Sequence, residues 1–155
     1  MEFGTLLAWH SLVRWIVLVL IILVLIKSYK GLKQTNPFSK FDTYLRIFTP
    51  ICCWIQLILG SILYSQSSIV SYFLNNFPET LSLREIRFFG IEHSTAMPIA
   101  IILLTIGAYK SIKQHHLEYS YKSWFRWTLF AFILIITSIP WSFWPLVSRP
   151  LLRSF

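Results

Sequence analysis

Four polar side chains stand inside otherwise apolar stretches of this sequence: His10, Arg14, Glu92 and His93. An ionisable group in hydrocarbon is costly, so such groups usually face a protein interior and serve a function there. Imidazole can ligate a metal or carry a proton. In depth, His10 lies about one turn below the outer end of the first apolar segment. His93 lies one to two turns below the start of the third. The two rings therefore share a layer, and helices one and three of a four-helix bundle face each other diagonally. Two histidines across a bundle at one depth suit axial ligation of haem b. The residues alone leave three readings open: haem, a proton or quinone site without haem, and a structural role.

Neighbouring residues extend each reading. Gly60 falls in the same layer, where the missing side chain leaves room for a flat macrocycle or for close helix packing. Arg14, one turn below His10, needs a partner, and Glu92 is the expected one. Gln56 is deeper and can hydrogen-bond into the same cluster. Arg84 and Arg87 lie near the outer surface, where they suit haem propionates or lipid headgroups. Trp9, Phe88, Phe89 and Trp141 either pack the cofactor or belong to the interfacial aromatic belt. Copper or zinc is a weaker reading, because Met97 is the one soft ligand near His93 and no third histidine joins the pair. His115 and His116 sit among lysines in a connecting loop and read as solvated.

The elements that position these residues are transmembrane helices. Of the 155 residues 55% are hydrophobic and only 13% charged, whereas a soluble domain carries about 25% charged residues. A bilayer core asks for about 20 apolar residues per helix, and four segments qualify: about 6–26, 46–66, 88–109 and 124–146. The expected fold is an all-α membrane protein, one domain over 1–155, with four helices in an up-down antiparallel bundle. Pro50, Pro98 and Pro140 fall within the last three segments, where a membrane tolerates them as kinks. Met1 to Ile26 carries Glu2 and no basic n-region, and Lys27 follows it, so it reads as a retained helix and not a signal peptide. Cys52 and Cys53 are adjacent on one helix and cannot form an ordinary disulfide.

The net charge of +8 is topological. Lys27, Lys30, Lys33 and Lys40 fill the first connection, and Lys110, Lys113 and Lys122 the third, whereas Arg84 and Arg87 in the second are balanced by Glu79 and Glu85. Positive residues mark the cytoplasmic side. Loops 27–45 and 110–123 are thus expected inside and both termini outside, against the mild opposition of Arg149 and Arg153. No basic fold or motif supports nucleic-acid binding. Trp15, Trp124, Trp127 and Trp144 add to the belts.

The stretches AWHSLVRWIVL (8–18), IQLILGSILY (55–64), RFFGIEHSTAMPIAIILLTIGAYKSIK (87–113) and SIPW (138–141) resemble a family of small four-helix bacterial membrane proteins of cytochrome b type, mostly from the Bacteroidetes. The resemblance covers nearly the whole chain. It implies haem b, with His10 and His93 at the matching ligand positions. Relatives often carry a further histidine where this chain has Trp54. The expected function is membrane electron transfer through one haem b per chain. The chain would act as a carrier or as the haem-bearing small subunit of a respiratory complex in the bacterial inner membrane, with other membrane subunits as partners and quinone as a further candidate ligand. No flavin, nucleotide or iron–sulfur motif accompanies it, so a stand-alone dehydrogenase is not expected. The competing class is a haem-free accessory subunit that fills or stabilises a membrane complex.

Overall fold

The structure, a computed structural model, describes residues 2–34, 36–143, 147, 149 and 150. Trp144, Arg153 and the last part of the expected fourth segment lie outside the described residues. Five helices are present among them: α1 (Phe3–Gln34), α2 (Lys40–Gln66), a short α3 (Ser68–Asn75), α4 (Arg84–Lys113) and α5 (Leu117–Thr137), with a 3-10 turn at Glu79–Ser82. The fold is all-helical, as expected.

Three of these helices, α1, α2 and α4, are long and apolar enough to cross a membrane. Their outward faces bear this out. Ile16, Val19, Ile22 and Ile26 make an exposed stripe on α1, continued by Phe48, Ile51, Ile55 and Ile58 on α2. Contiguous apolar surface of that extent does not stay in water. α5 differs from the expected fourth segment. Its first half carries Glu118, Lys122 and Arg126, and it stops at Thr137, not at 146. The stop has a local cause. Pro140 cannot donate a backbone N–H, and it disfavours helical geometry in the residue before it. Pro140 is therefore past the helix, whereas Pro50 and Pro98 are inside theirs.

The four long helices form a ring in which α1 touches α2 and α5, and α4 touches α2 and α5. α1 and α4 thus face each other diagonally. A core of Val17, Leu18 and Ile21 (α1), Cys53 (α2), Ala100, Ile101 and Leu104 (α4) and Ala131 and Ile135 (α5) fills the centre. The small residues let helices approach closely, the usual packing device in membranes. Cys52 and Cys53 are free thiols.

The lysine-rich end is clamped by polar and aromatic contacts. Ser39 caps α2, accepting from the Asp42 amide while the Asp42 carboxylate accepts from the Ser39 amide and hydroxyl. That reciprocal cap satisfies backbone donors a helix start leaves open. Lys27 of α1 pairs with the same Asp42 at 3.1 Å. Phe38 stacks on Tyr121 at 4.0 Å between ring centroids, and the Arg46 guanidinium sits 3.8 Å from the Phe38 centroid. The Tyr121 hydroxyl donates to the Asn36 carbonyl. Tyr121 packs against Gly31 of α1, where any side chain would overlap its ring.

At the opposite end the stretch expected as a loop, 67–87, is largely helical. Ser67 caps α3 through its hydroxyl. Phe73 of α3 then packs on Gly90 of α4, another position with no room for a Cβ. The first turns of α4 widen into a π-helical segment at Phe88–Glu92.

Gly31→Ala should therefore lower the thermal unfolding temperature in detergent, at a cost of about 1–3 kcal/mol typical of overpacking. Gly4→Ala, at a position with open space around it, should leave the melting curve unchanged. Equal melting of the two variants would contradict the clamp.

Candidate functional site

His10 on α1 and His93 on α4 both line one partly open cavity of about 640 Å³ between the helices. Its wall includes Arg14, Gln56, Gly60, Tyr64, Met97 and Arg149. Volumes of about 300–1,000 Å³ are those of small-molecule and cofactor sites. The remaining wall is mostly apolar, from Leu7, Val17 and Leu18 to Ile101, Ile135 and Ile139.

The two imidazoles are held in different ways. His93 Nδ1 lies 2.7 Å from the Ser138 carbonyl oxygen. A carbonyl only accepts, so Nδ1 carries the hydrogen, which leaves Nε2 of the neutral ring with a lone pair able to accept a hydrogen bond or bind a metal. The Ser138 carbonyl is available because α5 has already ended: Ser138 caps it, and the chain turns away towards Pro140. Phe88 and Phe89 flank the ring, with centroids 5.8 Å and 6.3 Å from it. His10 is seated by packing. A Cβ on Gly60 would come within 3.2 Å of His10 Cε1 and 3.7 Å of Nδ1, so the glycine of α2 makes the space this ring occupies. Gln56, one turn away on α2, donates to the His10 backbone carbonyl at 2.9 Å. His10 Nδ1 and Gln56 Oε1 are buried and take no hydrogen bond from the described residues.

The expected site residues separate into two groups. His10, His93, Arg14 and Gly60 meet at the cavity. Arg84 and Arg87 do not line it. Arg149 does, and it pairs with Glu85. Sequence reasoning treated Arg149 only as a topological charge. A cation beyond a helix-ending proline carries no spacing signal, so nothing in the pattern places it there.

The expected Arg14–Glu92 pair is also replaced. Glu92 Oε1 accepts from Arg87 Nε at 2.7 Å, and Arg87 Nη1 donates to the Leu81 carbonyl at 2.7 Å. The cause is the π-helical turn, whose i→i+5 repeat brings residues 87 and 92 above one another. An ordinary α-helix would not do so. Arg14 instead donates to the Ser11 hydroxyl at 3.4 Å and lies 5.6 Å from the centroid of Trp15.

The aromatic candidates divide as well. Phe89 lines the cavity. Trp9 is exposed, and Trp141 packs edge-on against Trp15 at 6.1 Å while donating to the Ile136 carbonyl. Trp54 is outside the cavity: it is half exposed and donates to the Thr105 hydroxyl of α4 at 3.2 Å. His115 and His116 are exposed at the far end of the bundle.

Among the described residues no group of three or more His, Cys, Asp or Glu side chains is placed to hold a bare metal ion. His10 and His93, both lining one cavity between helices, are residues of the type that would hold a haem iron, so the lining fits that group chemically. Comparisons with protein families, with characterised proteins and with solved structures gave no match. The likeness to cytochrome b-type proteins is therefore carried by the quoted motifs alone.

The Arg87–Glu92 assignment gives a measurable coupling. A double-mutant cycle on Arg87→Leu and Glu92→Gln in detergent should return a few tenths to about 1 kcal/mol, the range of partly exposed ion pairs. The same cycle on Arg14→Leu and Glu92→Gln should be additive. Coupling in the second cycle and additivity in the first would restore the pair expected from sequence.

Proposed function

We propose that this protein is a membrane electron carrier, or the haem-bearing small subunit of a respiratory membrane complex, with one haem b held by His10 and His93. The observation that carries the reading is the presence of both imidazoles, from diagonally opposed helices, in the wall of one 640 Å³ cavity. When bound, haem supplies reversible one-electron chemistry. The protein's part is to hold and insulate. His93 is oriented by the Ser138 carbonyl. His10 is seated in the notch at Gly60. Leu18, Ile101 and Ile135 exclude water from the inner wall. Arg14 brings positive charge to the cavity and suits a carboxylate of a cofactor, the role first expected of Arg84 and Arg87, whereas Arg149 on the same wall pairs with Glu85. A quinone headgroup near Gln56 and Ser11 is compatible with the same wall.

The setting is proposed as a bacterial inner membrane crossed four times. α5 forms the fourth span. Both termini and the histidine layer lie outside, with the lysine-rich end in the cytoplasm. Other membrane subunits would supply and receive the electrons.

The purified protein should be red, and a pyridine haemochromogen assay should give one haem per chain. His10→Ala and His93→Ala should each abolish a low-spin bis-histidine spectrum, while His115→Ala leaves it intact. A colourless protein that stays colourless after reconstitution with haem would favour the haem-free accessory role. For topology, a cysteine placed at Ser71 should react with an impermeant maleimide on intact cells and one at Gln114 should not, in a background with Cys52 and Cys53 replaced. The reverse pattern would turn the protein over.

A further inference from the structure

Where α4 and α5 meet at the lysine-rich end, Lys110, Gln114, Tyr119, Lys122, Ser123 and Arg126 surround a second, shallower pocket of about 330 Å³, with Trp127 beside them. Three cations converge on it. Among the described residues none of the three pairs with a carboxylate. The stretch from Lys110 to Arg126 holds one acid, Glu118, and it is not part of the wall. The Lys110 ammonium lies 4.8 Å from the centre of the Trp127 ring. The hydroxyl of Ser123 is buried and has no hydrogen-bond partner among the described residues. The pocket floor is fixed, because Gly107 of α4 lets Trp127 of α5 approach so closely that a Cβ would overlap it.

Like charges converging without counter-ions repel one another and call for an anion. Depth identifies which one. Lys110 follows the apolar run that ends at Ala108, and Trp127 opens the apolar half of α5. Trp and Lys at the end of an apolar run mark the headgroup level. Basic pockets between transmembrane helices on the cytoplasmic side receive acidic headgroups. We propose that this pocket binds the phosphate of an anionic phospholipid, with Lys110, Lys122 and Arg126 as counter-ions and the Ser123 hydroxyl as a further donor. The site lies at the end of the bundle opposite the histidine cavity and does not depend on haem.

The test uses the full chain in nanodiscs of mixed phosphatidylglycerol and phosphatidylcholine. Lipids retained after transfer to mild detergent are counted by native mass spectrometry. The wild type should keep phosphatidylglycerol in preference to phosphatidylcholine. The K110Q/K122Q/R126Q variant should lose that preference, by roughly fivefold for each cation removed. K30Q/K33Q/K40Q, which removes as many charges from the same end but outside the pocket, should keep it. Single K110Q and R126Q variants give the same reading with smaller steps if the triple variant does not fold, as judged by circular dichroism. An undiminished preference in K110Q/K122Q/R126Q, or an equal loss in K30Q/K33Q/K40Q, would overturn the site. Displacement of the lipid by millimolar inorganic phosphate would overturn the lipid assignment and make this a site for a free anion.

Discussion

The hydrogen bond between His93 and the Ser138 carbonyl is the contact on which the arrangement of the cavity depends. In a membrane a backbone carbonyl without a helical partner must find another inside the protein. α5 creates such a carbonyl by stopping ahead of Pro140, and His93 of α4 answers it across the helix pair. The same contact satisfies one polar ring nitrogen, joins the end of α5 to the start of α4 and sets which nitrogen of His93 remains for other chemistry. Extending α5 by one turn would remove the acceptor and release the ring.

The rest of the fold holds that contact in register. The clamp at the far end, where Phe38, Tyr121 and Arg46 interlock and Tyr121 fills the notch at Gly31, joins α1 to α5. Gly107 under Trp127 joins α4 to α5, and the Trp54–Thr105 bond joins α2 to α4. Gln56 joins α2 to α1 through the His10 carbonyl. With every neighbour in the ring tied to the next, α1 and α4 are kept on the diagonal, and their histidines line one space. A cavity of this size inside a small bundle loses dispersion contacts that close packing would provide. The glycines and clamps keep the helices from closing upon it.

Much of this was legible in the sequence. Long apolar runs between lysine clusters marked α1, α2 and α4, because span length and charge placement are one-dimensional properties. The shared depth of His10 and His93 followed from helix direction alone. The polar partners were not legible. Glu92 turned to Arg87 because the helix widens to a π turn at Phe88–Glu92, and a search at spacings of three and four misses a pair five apart. The end of α5 was misplaced because the apolar run Ser138–Trp144 continues past a proline that was read as a kink. α3 was missed because its short amphipathic stretch is stabilised mainly by tertiary contact with Gly90, and a helix that short has little stability of its own.

The two imidazoles are unequal, and the inequality bears on how a ligand would be held. His93 is fixed by backbone, with its acceptor belonging to a chain segment that packs on the core at Ile139. His10 is fixed by a glycine notch and by its neighbours, and its Nδ1 meets no partner among the described residues. Two nitrogen donors lining one cavity fall short of the four that a structural zinc ion takes, whereas a haem iron would take only a pair from the protein. Orientation would then come from the α4 side, where the ring is tethered, and adjustment from the α1 side, where it is only packed. Arg14 stands one turn below the adjustable ring, so a cofactor carboxylate would find positive charge on the wall contributed by α1, while Arg149 at the same cavity pairs with Glu85. Of the charge that the sequence placed on α4, Arg87 is directed to Glu92 and the Leu81 carbonyl across the π turn at Phe88–Glu92, and Arg84 does not line the cavity.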